Sequence, residues 1–125
     1  MKQLARALVG LIALIMVAHG LAFWFRIDSM NQLFALSTLN NLGFASIRAD
    51  FGGFFLAVGL FSGYAAWKYQ GQWALAAAIM FLIALTGRFI SLGFEGPVDG
   101  GVAPMLFEGT SAAILLWARS LWQRS

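Results

Sequence analysis

A chain of 125 residues that is 61% hydrophobic and 10% charged, with mean hydropathy +0.80, has too few charged side chains to cover a soluble globule. The same apolar content excludes a disordered protein. The net charge of +3 and pI near 10.0 do not point to nucleic acid, because the basic residues are dispersed between long apolar runs. In a bilayer such charge sets orientation. No cysteine is present and His19 is the lone histidine, so no disulfide framework, thiolate centre or His-rich metal site is expected. No cofactor motif is found.

The first apolar run spans Ala7 to Phe25 and contains one ionisable residue, His19. Lys2 and Arg6 before it have the look of a signal-peptide n-region, but three further apolar runs follow, and the run is read as a retained span. Residues 26–47 are then polar enough for a loop, within which Asp28 or Ser29 caps a short helix carrying Met30, Leu33 and Phe34 on one face. Asn40-Asn41-Leu42-Gly43 breaks that helix. The second run, Phe51 to Trp67, is uncharged and starts a turn earlier, near Ile47. A turn at Tyr69-Gln70-Gly71-Gln72 leads into the third run, Trp73 to Phe94, interrupted by Arg88. Gly96-Pro97-Val98-Asp99-Gly100-Gly101 is turn chemistry, and Pro104 suits the first turn of a last helix from Val102 to Trp122, which contains Glu108 and Arg119.

The expected fold is therefore all-α: an integral membrane four-helix bundle in one domain, residues 1–125, with spans at about 5–25, 47–67, 73–94 and 102–122. A short outer interfacial helix lies between the first and second. Lys2, Arg6, Lys68, Arg119 and Arg124 fall on the side of the termini, against Arg26, Arg48 and Arg88 at the other. This places both termini in the cytoplasm. Trp24, Trp67, Trp73, Trp117 and Trp122 all sit at run ends, the headgroup zone. On the second helix Gly59 and Gly63 form G-x-x-x-G. Gly52 precedes Gly59 by seven residues, and Gly53 is its neighbour. This stripe permits close helix approach, within the bundle or across a dimer face.

Ionisable groups inside a span face protein or water rather than lipid. His19, Arg88 and Glu108 each lie about 9 Å from the outer end of their run, at ~1.5 Å per residue. Arg48 and Asp50 start the second helix from the same side. Arg88 and Glu108 are the natural pair, either a structural ion pair or part of a ligand site. Arg48 reaches Glu108, an exogenous anion or the headgroups. His19 is a packing histidine, a ligand contact or a proton acceptor. No catalytic constellation is present: there is no H-E-x-x-H, P-loop, G-x-S-x-G or CxxC.

Arg48-Ala49-Asp50-Phe51-Gly52-Gly53 resembles the R-x-x-[YF]-G-G start of the second helix in the domain-of-unknown-function-4345 family of small four-helix bacterial inner-membrane proteins. Gly87-Arg88-Phe89-Ile90-Ser91, followed by Glu95-Gly96-Pro97, resembles that family's third-helix G-R motif and its acidic-Gly-Pro turn. Glu108 matches a glutamate early in its last helix. Phe51 stands where tyrosine is more frequent, and Glu95 where aspartate is. The family is distantly DoxX-like. The resemblance implies a bacterial inner-membrane location and makes Arg48, Gly52, Gly53, Arg88 and Glu108 the motif positions, without an activity.

The leading expectation is a non-enzymatic membrane protein that binds a small amphiphile or lipid headgroup in an outer-leaflet polar pocket lined by Arg48, Asp50, Arg88, Glu108 and His19. One alternative is an accessory subunit that packs on a membrane-protein partner or on its own copies. Another is a proton-coupled carrier using His19 and Glu108. Membrane lipids are the expected surroundings in each case.

Overall fold

A computed structural model describes residues 1–122; Arg124 lies outside the described residues. The chain is all-helical among them. Helix α1 is Lys2–Phe25, α2 Ile27–Leu33, α3 Asn41–Ile47, α4 Gly53–Lys68, α5 Gly71–Glu95 and α6 Val102–Trp122. A π-turn at Arg48–Gly52 joins α3 to α4, so Asn41–Lys68 runs as one helix of 28 residues. At ~1.5 Å rise that helix is about 42 Å long.

Three helices are long and apolar enough to cross a membrane: Lys2–Phe25, Asn41–Lys68 and Gly71–Glu95. α6 occupies the expected residues 102–122 but is less apolar, because it carries Glu108, Thr110, Ser111 and Arg119. Its inward stripe is Glu108, Ser111, Ala112, Leu115, Ala118 and Trp122, all buried, so much of its polarity faces protein.

The Asn40 segment corrects the sequence expectation. It does not end α2, which stops at Leu33 with Ala35 in the left-handed region at φ 56°, but opens the next helix: the Asn40 side chain accepts from Gly43 N–H at 3.2 Å, an N-cap. The second long helix therefore starts near residue 41 rather than 47. The loop helix also differs in its face. α2 buries Ile27, Met30 and Asn31, whereas Leu33 is exposed.

The long helices pack in the order α1, α4, α5, α6 and back to α1, with α1 on α4 and α5 on α6 the most extensive pairs. The α1–α4 seam is built on glycine. A Cβ on Gly59 would lie 2.6 Å from Val17 Cγ2 and 2.9 Å from the Val17 backbone nitrogen. One on Gly20 would lie 2.5 Å from Leu56 Cγ, and one on Gly52 2.6 Å from Trp24. Gly63 only grazes Ala13, at 3.7 Å, and Gly53 would meet nothing, so these two expected packing glycines do not carry the seam. The core is small: Ala5, Val9, Met16, Val58, Ala77, Ala78, Phe81 and Leu115. The outer surface is apolar, with Leu14, Leu60, Trp67, Ile83, Phe89 and Ile90 exposed.

One end of the molecule gathers the start of α1, the α4–α5 turn and the end of α6. Arg6 Nε donates to Ala66 O at 3.0 Å, Nη1 to Tyr69 Oη at 3.1 Å and Nη2 to Trp67 O at 3.4 Å. A cation is thus held at the C-terminus of α4, where the helix dipole favours it. The Arg6 guanidinium also lies over the Tyr69 ring, which packs edge-on to Trp122. Tyr69 closes α4 in the left-handed region at φ 55°, which makes the turn tighter than the sequence suggests: α5 already begins at Gly71. Arg6→Met should lower stability in detergent by about 1–3 kcal/mol, the size of charge-assisted bonds to carbonyls. A denaturant titration followed by circular dichroism measures this, and Lys2→Met serves as the neutral control.

Candidate functional site

Arg88 stands on α5, seven residues before its end, and Glu108 stands on α6, six residues after its start. The loop between them folds back tightly. Gly96 at φ 77° and Gly100 at φ 78° take left-handed conformations that suit glycine, and Gly101 N–H bonds to Val98 O at 3.2 Å. This brings the two side chains together: Arg88 Nε donates to Glu108 Oε1 at 2.8 Å. The expected pairing is present. Its two members differ in exposure, the side chains being 37% and 10% accessible respectively.

Two cavities meet at this pair. An inner chamber of about 590 Å³ is lined by His19 of α1, Phe54 and Phe55 of α4, Phe81 and Arg88 of α5, and Phe107 and Glu108 of α6, with Phe34 and Asp99 from the loops. A second cavity of about 630 Å³ lies between α5 and α6, against Leu85, Phe89, Leu92, Val102, Met105 and Leu106. Arg88, Glu108, Val98 and Gly101 line both and form the wall between them. The second cavity faces the apolar exterior, since Phe89, Val102 and Leu106 are more than half exposed.

His19 is half-buried in an aromatic cluster, 5.6 Å from the Phe55 ring and 6.4 Å from Phe34, while Phe23 stacks on Phe55. Its Nδ1–H donates to Ile15 O at 2.7 Å, because a carbonyl can only accept. In the neutral ring that bond leaves Nε2 as the acceptor.

Arg48 and Asp50 do not join this site. Arg48 Nε donates to Trp24 O at 3.0 Å, and Trp24 Nε1 returns a bond to Arg48 O at 3.2 Å. The indole lies against Gly52, where no Cβ fits. Arg48 and Gly52 therefore form a clasp on Trp24 at the C-terminal end of α1, with the π-turn between them. Arg48 lines a separate shallow pocket with Asp28 and Phe44. Asp50 is exposed and lines none of these cavities. Ser91, which lines the α5–α6 cavity beside Arg88, donates to Glu95 Oε1 at 2.7 Å. Asp99, in contrast, is a chamber residue that the sequence treats only as turn chemistry. Among the described residues no three His, Asp or Glu side chains cluster as metal ligands do.

No protein-family model matches the chain, and neither the curated proteins nor the solved structures yield a match.

Proposed function

We propose that this is a non-enzymatic membrane protein that binds a small amphiphile or lipid headgroup at the Arg88–Glu108 pair. The observation that supports it most is the Arg88–Glu108 ion pair standing in the wall between two largely apolar cavities, into one of which α1 also brings His19. Polar anchors set in an apolar cavity of this size are the usual make-up of a small-molecule site. In this reading α6 is the fourth span. Its length of 21 residues suffices, and Glu108 and Ser111 are turned away from lipid. The Lys and Arg count then places the termini in the cytoplasm and the pair in the outer half of the bilayer. The likeness of the Arg48–Gly53 and Gly87–Pro97 segments to the family named above supports a bacterial inner membrane.

The test is native mass spectrometry on protein extracted gently with its lipids, wild type beside Arg88→Gln, which keeps a hydrogen-bond donor toward Glu108. The wild type should carry a discrete bound mass that the folded variant lacks. A bare wild type, or equal occupancy in both, overturns the proposal and favours the accessory-subunit reading.

A further inference from the structure

Arg88 spends only one of its five donors on Glu108. The bond is made through Nε, from the side of the guanidinium and to a single carboxylate oxygen, and neither Nη1 nor Nη2 has a hydrogen-bond partner among the described residues. A bidentate pair would have closed the guanidinium fork; this one leaves it open. The accessible part of the pair is also its cation, since the Arg88 side chain is 37% exposed and that of Glu108 10%. An oxyacid group fits such a fork in charge and in shape.

The side from which it arrives follows from the other charges. Asp99 lines the inner chamber and sets a second carboxylate against an incoming anion there. The cavity between α5 and α6 contains no carboxylate other than the shielded Glu108. Its remaining wall is mostly apolar, and Gly87 leaves it open, since a Cβ there would meet nothing. At about 630 Å³ it has the size of a site for one drug-sized molecule, not for a two-chain lipid.

Resting on the binding function proposed above, we infer that the ligand is a single-chain amphiphile with an acidic head, held on the Nη side of Arg88. Its chain lies laterally between α5 and α6, along Leu85, Phe89 and Met105. Two sources share this chemistry, a fatty carboxylate and a lysophospholipid with a phosphate head. Glu108 competes with the head for Arg88 and so sets the affinity. It need not leave, because the fork and the Nε bond use different donors.

The experiment measures binding of oleate, of a lysophosphatidylglycerol and of uncharged oleyl alcohol to detergent-solubilised wild type, Glu108→Gln and Arg88→Gln. Glu108→Gln removes the competing charge and keeps an acceptor for Nε. It should bind the acidic probe about tenfold more tightly than wild type, a gain that misfolding does not produce. Arg88→Gln should weaken it by about 10- to 100-fold, and oleyl alcohol should respond to neither change. Preference for oleate or for the lysophospholipid identifies the source. A photoreactive fatty acid should label residues of the α5–α6 cavity. Tight binding of oleyl alcohol, labelling confined to the inner chamber, a co-purifying two-chain lipid, or no gain in Glu108→Gln overturns this inference and leaves the binding function standing. Failure of the wild type to retain or bind any amphiphile overturns both.

Discussion

Gly59→Ala should destabilise the protein by about 1–3 kcal/mol, although alanine is the better helix former by roughly 1 kcal/mol. The added methyl would lie 2.6 Å from Val17 Cγ2, 2.9 Å from the Val17 nitrogen and 3.2 Å from Ala13 O. The first neighbour is a side chain that can rotate. The others are backbone, so α1 itself must move away from α4 to make room. That movement loosens the most extensive helix pair in the molecule. Gly53→Ala, six residues earlier in the same helix, meets nothing within 4 Å and should leave stability unchanged or raise it by up to about 1 kcal/mol. Gly63→Ala, at 3.7 Å from Ala13 Cβ, should be close to neutral. Denaturant titrations in one detergent, read by circular dichroism, rank the three. Equal losses at all three positions would show that helix α4 is not seated on α1 as described.

These glycines show how far the sequence reaches. Spacing on a helix puts Gly52, Gly59 and Gly63 on one stripe, but it does not say where the facing helix is closest. Closest approach is decided by what the partner offers. Val17 and Trp24 press on Gly59 and Gly52, while Ala13 leaves room at Gly63. Gly20, the partner helix's own contribution, is invisible until Leu56 is seen against it. Helix limits were legible where apolarity changes sharply, as at residues 102–122. They were not legible at residues 41–52, where Asn40 caps a helix that a mixed segment carrying Arg48 and Asp50, with its π-turn, joins to the apolar run. Asparagine-rich sequence reads as a breaker because the same side chain serves turns and caps alike.

The site was legible in its centre and not at its edge. Arg88 and Glu108 stand at matching depth in runs joined by a tight loop, and an unpaired charge there is unfavourable in apolar surroundings, which is enough to predict that they meet. Depth says nothing about azimuth. Arg48 and Asp50 begin the second run at the depth expected for the pair but face elsewhere, Arg48 because its side chain finds the Trp24 carbonyl while the Trp24 indole N–H donates to its backbone oxygen. Asp99 lines the chamber because the loop folds over it, and that depends on two left-handed glycines acting together.

Arg88→Met should destabilise the protein by about 2–4 kcal/mol, and Glu108→Leu by less, on the order of 1 kcal/mol. The asymmetry follows from exposure. Removing the arginine strands a carboxylate in a residue that is 8% accessible, whereas removing the glutamate leaves a cation on a long, partly exposed stem that can turn outward. The double variant should be more stable than Arg88→Met alone, because two apolar side chains of similar volume leave no charge to be desolvated. The coupling measured by this cycle reports what the pair contributes to the fold, and it is independent of ligand. A double variant that is stable yet binds no acidic amphiphile would separate the two roles: helices α5 and α6 pack without the charges, and the charges are there for binding. A double variant less stable than either single one would mean that the pair holds α5 and α6 together through more than its own contact, and would make fold stability a sufficient reason for its presence.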